Sequence, residues 1–106
     1  MTIDRFSSPM PGLVIGTTPA ASTAINLQHL AGGTLECPTG SALTLLTWYS
    51  SIDGKTWRAL QDGAGTAITT QVGSAVAVAI PVTCFGCAYI TATDPVGGAV
   101  DVNLKG

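Results

Sequence analysis

The sequence predicts an all-β domain, a single β-sandwich of about eight short strands with jelly-roll or Greek-key topology. Turn-forming Gly, Pro, Asp and Ser residues recur roughly every eight to twelve positions, as in sandwiches and small barrels. Between these turns, Val, Ile, Thr and aromatic residues follow a period of two. No segment shows a convincing amphipathic helical period. The 106 residues have the size of one domain.

The N-terminal 22 residues differ in character from the rest of the chain. They contain three of its six prolines, Pro9, Pro11 and Pro19. Proline fixes φ and removes a backbone donor, so we expect an extended arm over 1–22 in which "GLVIG" at 12–16 can pair as an edge strand. The arm is either a loose terminus or, as we favour, a segment that lies on a neighbouring subunit. Its expected interface residues are the apolar Phe6, Met10, Leu13 and Ile15.

Residues 23–106 are expected to form the sandwich. Eight segments of this region have strand composition and are separated by turns. In chain order they are "STAINLQHL" (from residue 22), "TLEC", "ALTLLTWYS", "KTWRAL", "TAITTQV", "AVAVAIPV", "CAYITAT" and "AVDVNL".

Charge is scarce throughout the chain. Charged residues make up 9 % of it, against about 25 % in typical soluble domains. This composition favours a domain whose surface is covered by neighbours in an assembly, and a domain with a Thr- and Ser-rich free surface is the alternative. Nucleic-acid and membrane partners are not expected, because the net charge is −2 and no basic cluster exists. The scattered basic residues are Arg5, Lys55, Arg58 and Lys105.

The N-terminal sequence also bears on location. "MTIDRFSSPMPG" has no apolar core of a signal peptide, and no run of about 20 apolar residues is present. We therefore expect assembly in a cytoplasm.

The strongest short turn signal is Asp53-Gly54 within "SSIDGKTWRAL", followed by Trp57. A two-residue loop would pair Ser50 with Trp57, and a three-residue loop would pair Ser51 with Lys55. In either register we expect at least one tryptophan to be largely buried. The residues of this structural hairpin are Asp53, Gly54 and Trp57.

The same stretch resembles two known hairpins. "SIDGKTW" resembles the Asp-box of sialidases, although it is one residue short between Asp53 and Gly54. It also resembles a hairpin of discoidin-type sugar-binding domains, which are longer. A sugar platform would need exposed aromatic rings beside orienting polar groups. We favour a structural role, with the sugar platform as the alternative.

No catalytic constellation is recognisable, so we expect a protein that is not an enzyme and has no cofactor. The single His29 has no positioned partner in the sequence. A Cys₃His zinc set can be drawn from His29, Cys37, Cys84 and Cys87, but the strand context of "CFGC" argues against it and we expect no metal. A disulfide and buried free thiols remain open for these cysteines. We expect Asp53, Asp62 and Asp94, beside Gly or Pro in turns, to cap backbone donors.

A broader resemblance covers residues 42 to 106. "LTWYSSIDGKTWRAL", "TAITTQV", "AVAVAIP", "AYITATD", "PVGG" and "AVDVNLKG" together resemble small virion proteins of tailed bacteriophages. "VTCFGC" departs from that pattern. The resemblance implies a β-sandwich that decorates or cements a capsid or belongs to the tail.

The partners implied are the major capsid protein and further copies of the chain, with a homotrimer favoured. The implied location is the capsid surface of the virion, after assembly in the host cytoplasm. A non-catalytic carbohydrate-binding or host-adhesion module is the alternative function.

Overall fold

The computed structural model describes residues 7–27 and 32–105, with side chains from 12 to 27 and from 32 to 104. In this part of the chain, nine strands and two 3₁₀ turns, Pro19–Ala21 and Val82–Gly86, are the regular elements, and no α-helix occurs. The strands are β1 (Ser7–Ile15), β2 (Ile25–Asn26), β3 (Gly32–Glu36), β4 (Leu45–Ser51), β5 (Arg58–Ala59), β6 (Thr69–Gln71), β7 (Ala77–Ala79), β8 (Tyr89–Thr93) and β9 (Gly98–Lys105). Each of the eight expected segments overlaps one of the strands β2 to β9.

The strands form two antiparallel sheets that enclose one core. One sheet has the order β1-β9-β3-β7, and the other has the order β2-β8-β4-β5, with β6 also paired to β4. Alternate residues of the central strands point inward, as in Leu46 and Trp48 of β4 and Val100 and Val102 of β9, all at most 3 % exposed. The predicted all-β sandwich is confirmed.

β1 confirms that the segment at 12–16 pairs as an edge strand, but the pairing reaches back to Ser7, further than we expected. It pairs with β9 from Ser7 to Ile15, and Leu13 and Ile15 are buried in the chain's own core rather than held free for a neighbour. β1 lies at the sheet edge, where prolines are tolerated because one side of the strand needs no donors. The expected interface residue Phe6 lies outside the described residues, and Met10 is described only as part of the β1 backbone.

A β-bulge allows β1 to pair with β9 although β1 contains two prolines. The register shifts between Met10 and Leu13, and Gly12 takes a φ of 71° there. The Gly12 N–H donates to Oδ1 of Asp101 at 2.9 Å, so a carboxylate of β9 holds the extra residue in place. The bulge keeps Leu13 and Ile15 directed inward.

The chain after β1 crosses to the second sheet. Gly16 forms a parallel bridge with Thr93, and the Gly16 carbonyl accepts from the Asp94 N–H at 3.0 Å. The following segment covers the outward side of β8. There the Thr91 hydroxyl donates to the Thr23 carbonyl at 2.9 Å, and Thr91 is only 1 % exposed. This crossing ties the two sheets together along one side of the sandwich.

Candidate functional site

The hairpin between β4 and β5 has a longer loop than either predicted register. Tyr49 pairs with Ala59 and Ser50 with Arg58, which leaves residues 52–56 in the loop once Ser51 and Trp57 face each other. Both predicted registers are therefore wrong. The physical reason is a side-chain network that stabilises a wider turn than Asp-Gly needs by itself.

Ser51 and Asp53 build that network. Oδ1 of Asp53 accepts from the Thr56 N–H at 2.9 Å, from the Lys55 N–H at 2.8 Å and from the Ser51 hydroxyl at 2.9 Å. These donors lower the pKa of the Asp53 carboxyl to about 2. The Ser51 oxygen in turn accepts from the Gly54 N–H at 2.8 Å, and Gly54 has the positive φ of 78° that its place in the turn requires. Asp53 and Gly54 are therefore structural residues of the hairpin.

The two tryptophans have different environments. Trp48 is 1 % exposed, and its indole N–H donates to the Thr70 hydroxyl at 3.0 Å, which confirms that at least one tryptophan is buried. Trp57 is half-buried and lies outside the core cluster. Extending the β4–β5 register by one residue puts Trp57 on the outward face of the sheet, the face of the half-buried Tyr49 and Tyr89.

A second surface lies at the end of the sandwich opposite this hairpin. It consists of residues 37–44 between β3 and β4, residues 72–76 between β6 and β7, and residues 94–97 between β8 and β9. Asp94 is the only charged residue in these three connections, and it is buried. We call them the uncharged end.

Hydrogen bonds join the connections of the uncharged end to one another. The Gly40 N–H donates to the Ser74 hydroxyl at 2.7 Å, and the Ala75 N–H donates to the Pro38 carbonyl at 3.2 Å. Ala75 has a φ of 57°, which is uncommon for a residue other than glycine. The Val72 N–H donates to the Thr44 carbonyl at 3.0 Å. The surface is therefore a preformed one.

Asp94 links the third connection to the start of β4. Its Oδ2 accepts from the N–H groups of Thr44 and Leu45 at 2.9 and 3.0 Å, and its Oδ1 accepts from those of Val96 and Gly97 at 2.9 and 3.3 Å. Burial raises the pKa of this carboxyl, but the four backbone donors outweigh burial and hold the pKa below its usual value. The residue therefore stays ionised inside the fold.

The uncharged end also exposes apolar side chains. Val96 is 62 % exposed and Val76 is 37 % exposed. The exposed charges of the hairpin, Asp53, Lys55 and Arg58, lie at the opposite end of β4. Exposed Glu36 and Asp101 line a pocket together with Val76, whereas no charged residue is exposed in the connection that carries Val96. The connections therefore offer apolar side chains and uncharged backbone for contact with another protein.

The other reactive side chains that the structure describes do not assemble into a centre. In the described ranges, no group of three or more His, Cys, Asp or Glu residues could hold a metal ion. Cys37, Cys84 and Cys87 are free thiols. Burial raises the pKa of the Cys84 thiol to about 12, with a smaller contribution from the neighbouring Cys87. A thiol with such a pKa is a poor nucleophile. His29 lies outside the described residues.

The expected capping roles of the turn aspartates are confirmed. Asp62 resembles Asp53 and Asp94 in this respect, because its Oδ1 accepts from the N–H groups of Ala64 and Thr66 at 2.8 and 3.0 Å. The sequence did not indicate the long-range hydrogen bonds that Thr44 and Leu45 donate to Asp94. It also did not indicate the positive φ of Ala75. Neither depends on a local pattern.

Comparison with protein-family models, with curated proteins and with solved structures finds no match. In the described part of the chain, no helix is long and apolar enough to cross a membrane.

Proposed function

We propose that the protein is a non-enzymatic structural component of a tailed-phage virion, a decoration protein that stabilises the shell built by the major capsid protein. The observation that carries this proposal is the uncharged end, a preformed surface with exposed Val76 and Val96 and a buried Asp94. The pattern resemblance of residues 42–106 to small virion proteins supports the choice of partner.

The mechanism is mechanical. A surface that is already ordered loses little conformational entropy on binding, so its apolar contacts contribute more fully to affinity. Burying Val96 against a shell removes apolar surface from water without desolvating an exposed charge. Many equivalent copies on one shell then oppose expansion together, even if each contact is weak.

A binding assay with assembled shells tests the proposal. Val96→Lys puts a charge on the most exposed apolar residue of the uncharged end, and we expect the apparent affinity for shells of the major capsid protein to fall at least about tenfold. Ile52→Lys is the matched control, because Ile52 is 93 % exposed in the opposite hairpin, and this variant should bind normally. Equal losses in the two variants, or no binding by the parent, would contradict the proposal.

A carbohydrate-binding module is a second candidate, favoured by the position of Trp57. Trp57, Tyr49 and Tyr89 are half-buried, and the register puts them on one outward face. Aromatic faces beside polar groups are the usual platform for sugar rings. The nearby Asp53 supplies a carboxylate whose pKa is about 2.

A glycan screen separates the two candidates. Under the structural proposal, the parent binds no glycan, and Trp57→Ala leaves shell binding unchanged. Under the second candidate, the parent binds a defined glycan and Trp57→Ala abolishes this binding while the protein stays folded.

A further inference from the structure

We propose that β7 pairs edge to edge with β7 of a second copy, antiparallel and about a two-fold axis at Val78. The four-stranded sheets of the two copies then continue into one another. The proposal stands on the strand geometry alone and does not depend on the virion assignment. It also differs from the trimer suggested by the resemblance, because this contact relates two copies.

The hydrogen bonds of β3 show which backbone groups of β7 are free for such a contact. The Cys37 N–H donates to the Val76 carbonyl at 2.8 Å, and the Ile80 N–H donates to the Gly33 carbonyl at 3.0 Å. Alternate residues of an antiparallel strand direct their N–H and C=O groups to the same side. The backbone N–H and C=O of Val78, which lies midway between Val76 and Ile80, therefore also face β3. Those of Ala77 and Ala79 point away from the sheet.

The other edges of the two sheets are less suited to receive a strand. β1 contains Pro9, Pro11 and a bulge, and β2 is two residues long. Beside β4, the edge formed by β5 and β6 is interrupted by a turn closed by the Gln61–Ala67 bridge. Prolines, bulges and short strands are the devices that protect sheet edges from pairing.

β7 contains no proline, bulge or charge, although it is only three residues long and Pro81 lies two residues beyond its end. The segment "AVAVAI" that contains it carries no charge, and its register with β3 runs without a shift from Thr34–Ala79 to Glu36–Ala77. Ala77 and Ala79 are exposed. In the described part of the chain, β7 is therefore the edge best suited to strand addition.

A second β7 matches this edge in both hydrogen bonds and side chains. With the axis at Val78, Ala77 of one copy faces Ala79 of the other, and each of these pairs exchanges two hydrogen bonds. The Val78 residues of the two copies face each other as a non-hydrogen-bonded pair. Val76, 37 % exposed in the single chain, comes to lie opposite Ile80 of the second copy. A second copy of β7 therefore satisfies all of these groups with the symmetry of a two-fold axis.

The contact is short, so we expect it to be weak in dilute solution. Interfaces well below about 1,200 Å² are commonly transient. The dimer should therefore become populated as the protein is concentrated. A covalent trap is the appropriate measurement.

Cysteine pairs provide that trap in a Cys87→Ser background, in which the remaining Cys37 and Cys84 are buried. Val78→Cys puts two thiols on a facing pair with Cα atoms about 4.5 Å apart, within disulfide range. Ala77→Cys is the matched control, because its symmetry mate is a diagonal neighbour about 7–8 Å away, at or beyond that range.

We expect oxidised Val78→Cys to form a disulfide-linked dimer at least about tenfold faster than Ala77→Cys. Random collision gives the reverse order, because Ala77 is exposed and Val78 is half-buried. Equal rates, a faster Ala77→Cys, or no dimer from Val78→Cys would overturn the proposal.

A second measurement uses no cysteine. Ala79→Pro removes an N–H that points away from β3, so the fold should be retained while the concentration-dependent dimer is lost in sedimentation equilibrium. Ala79→Thr keeps that N–H and should keep the dimer. A dimer that persists in a folded Ala79→Pro variant overturns the two-fold pairing. If circular dichroism shows this variant to be unfolded, the cysteine pair decides alone.

Discussion

Asp94 is 2 % exposed and accepts four backbone hydrogen bonds, from residues that lie next to it in the chain and from residues about fifty positions away. The lowered pKa of this carboxyl ties the stability of the fold to pH. The stabilisation is fully present above the unfolded-state pKa of about 3.9 and is lost as the pH falls through the folded-state pKa.

We therefore predict that Asp94→Asn destabilises the protein by about 1–3 kcal/mol at pH 6, because one charged acceptor is replaced by an amide. The variant should also lose part of the stability change below pH 4. Urea unfolding of parent and variant at pH 6 and pH 3 measures both effects. If the variant loses as much unfolding free energy between pH 6 and pH 3 as the parent does, Asp94 is not the group that makes the stability depend on pH.

Trp48 and Trp57 provide a second prediction at the residue scale. Trp48→Ala removes a fully buried side chain and should cost about 3–5 kcal/mol. Trp57→Ala should cost clearly less, because Trp57 is half-buried and outside the core cluster. Chemical denaturation of the two variants provides the comparison, and equal costs would mean that Trp57 packs as deeply as Trp48.

β1 illustrates how tertiary pairing changes the meaning of a local pattern. Its prolines predicted an extended arm with an edge strand only at 12–16, yet the bulge at Gly12 and the carboxylate of Asp101 allow the nine-residue β1 to pair with β9. Leu13 and Ile15 thereby become core residues, while Val14 between them is 50 % exposed.

Adjacent substitutions in β1 test this assignment. Leu13→Ala should lower the free energy of unfolding by about 2–4 kcal/mol, because it leaves a cavity in the core. Val14→Ala should change it by less than about 0.5 kcal/mol. Thermal or urea unfolding measures both. If Leu13→Ala alters oligomer mass and leaves unfolding unchanged, Leu13 belongs to an arm on a neighbour instead.

Strand identity was predictable from the sequence because it depends on local composition and turns, and all eight expected segments contain a strand. The hairpin register was not, because the loop width depends on where the Ser51 and Asp53 side chains find donors. "VTCFG" has apolar strand composition but forms a 3₁₀ turn with Cys84 buried. The uncharged end could be inferred only in part, since sequence shows its composition but not the bonds that join its connections.

At the scale of the whole molecule, charge and edges are distributed unevenly. The hairpin exposes Asp53, Lys55 and Arg58, whereas the three connections of the opposite end expose no charge, and the nearest exposed carboxylates there are those of Glu36 and Asp101 beside Val76. β1 is protected against strand addition, whereas β7 is open. The uncharged end and the open edge meet at Val76, so a domain of this kind can contact a shell through the connection that carries Val96 and a second copy through β7.

A cryo-EM reconstruction of particles from cells that express this chain with its major capsid protein tests the central proposal most directly. The account predicts sandwich-sized density at symmetry-related positions on the outer shell, with the connections at residues 37–44, 72–76 and 94–97 facing the capsid protein. Val96→Lys should remove that density and Ile52→Lys should keep it. A bare shell with the parent protein, or density confined to the tail, would contradict the account.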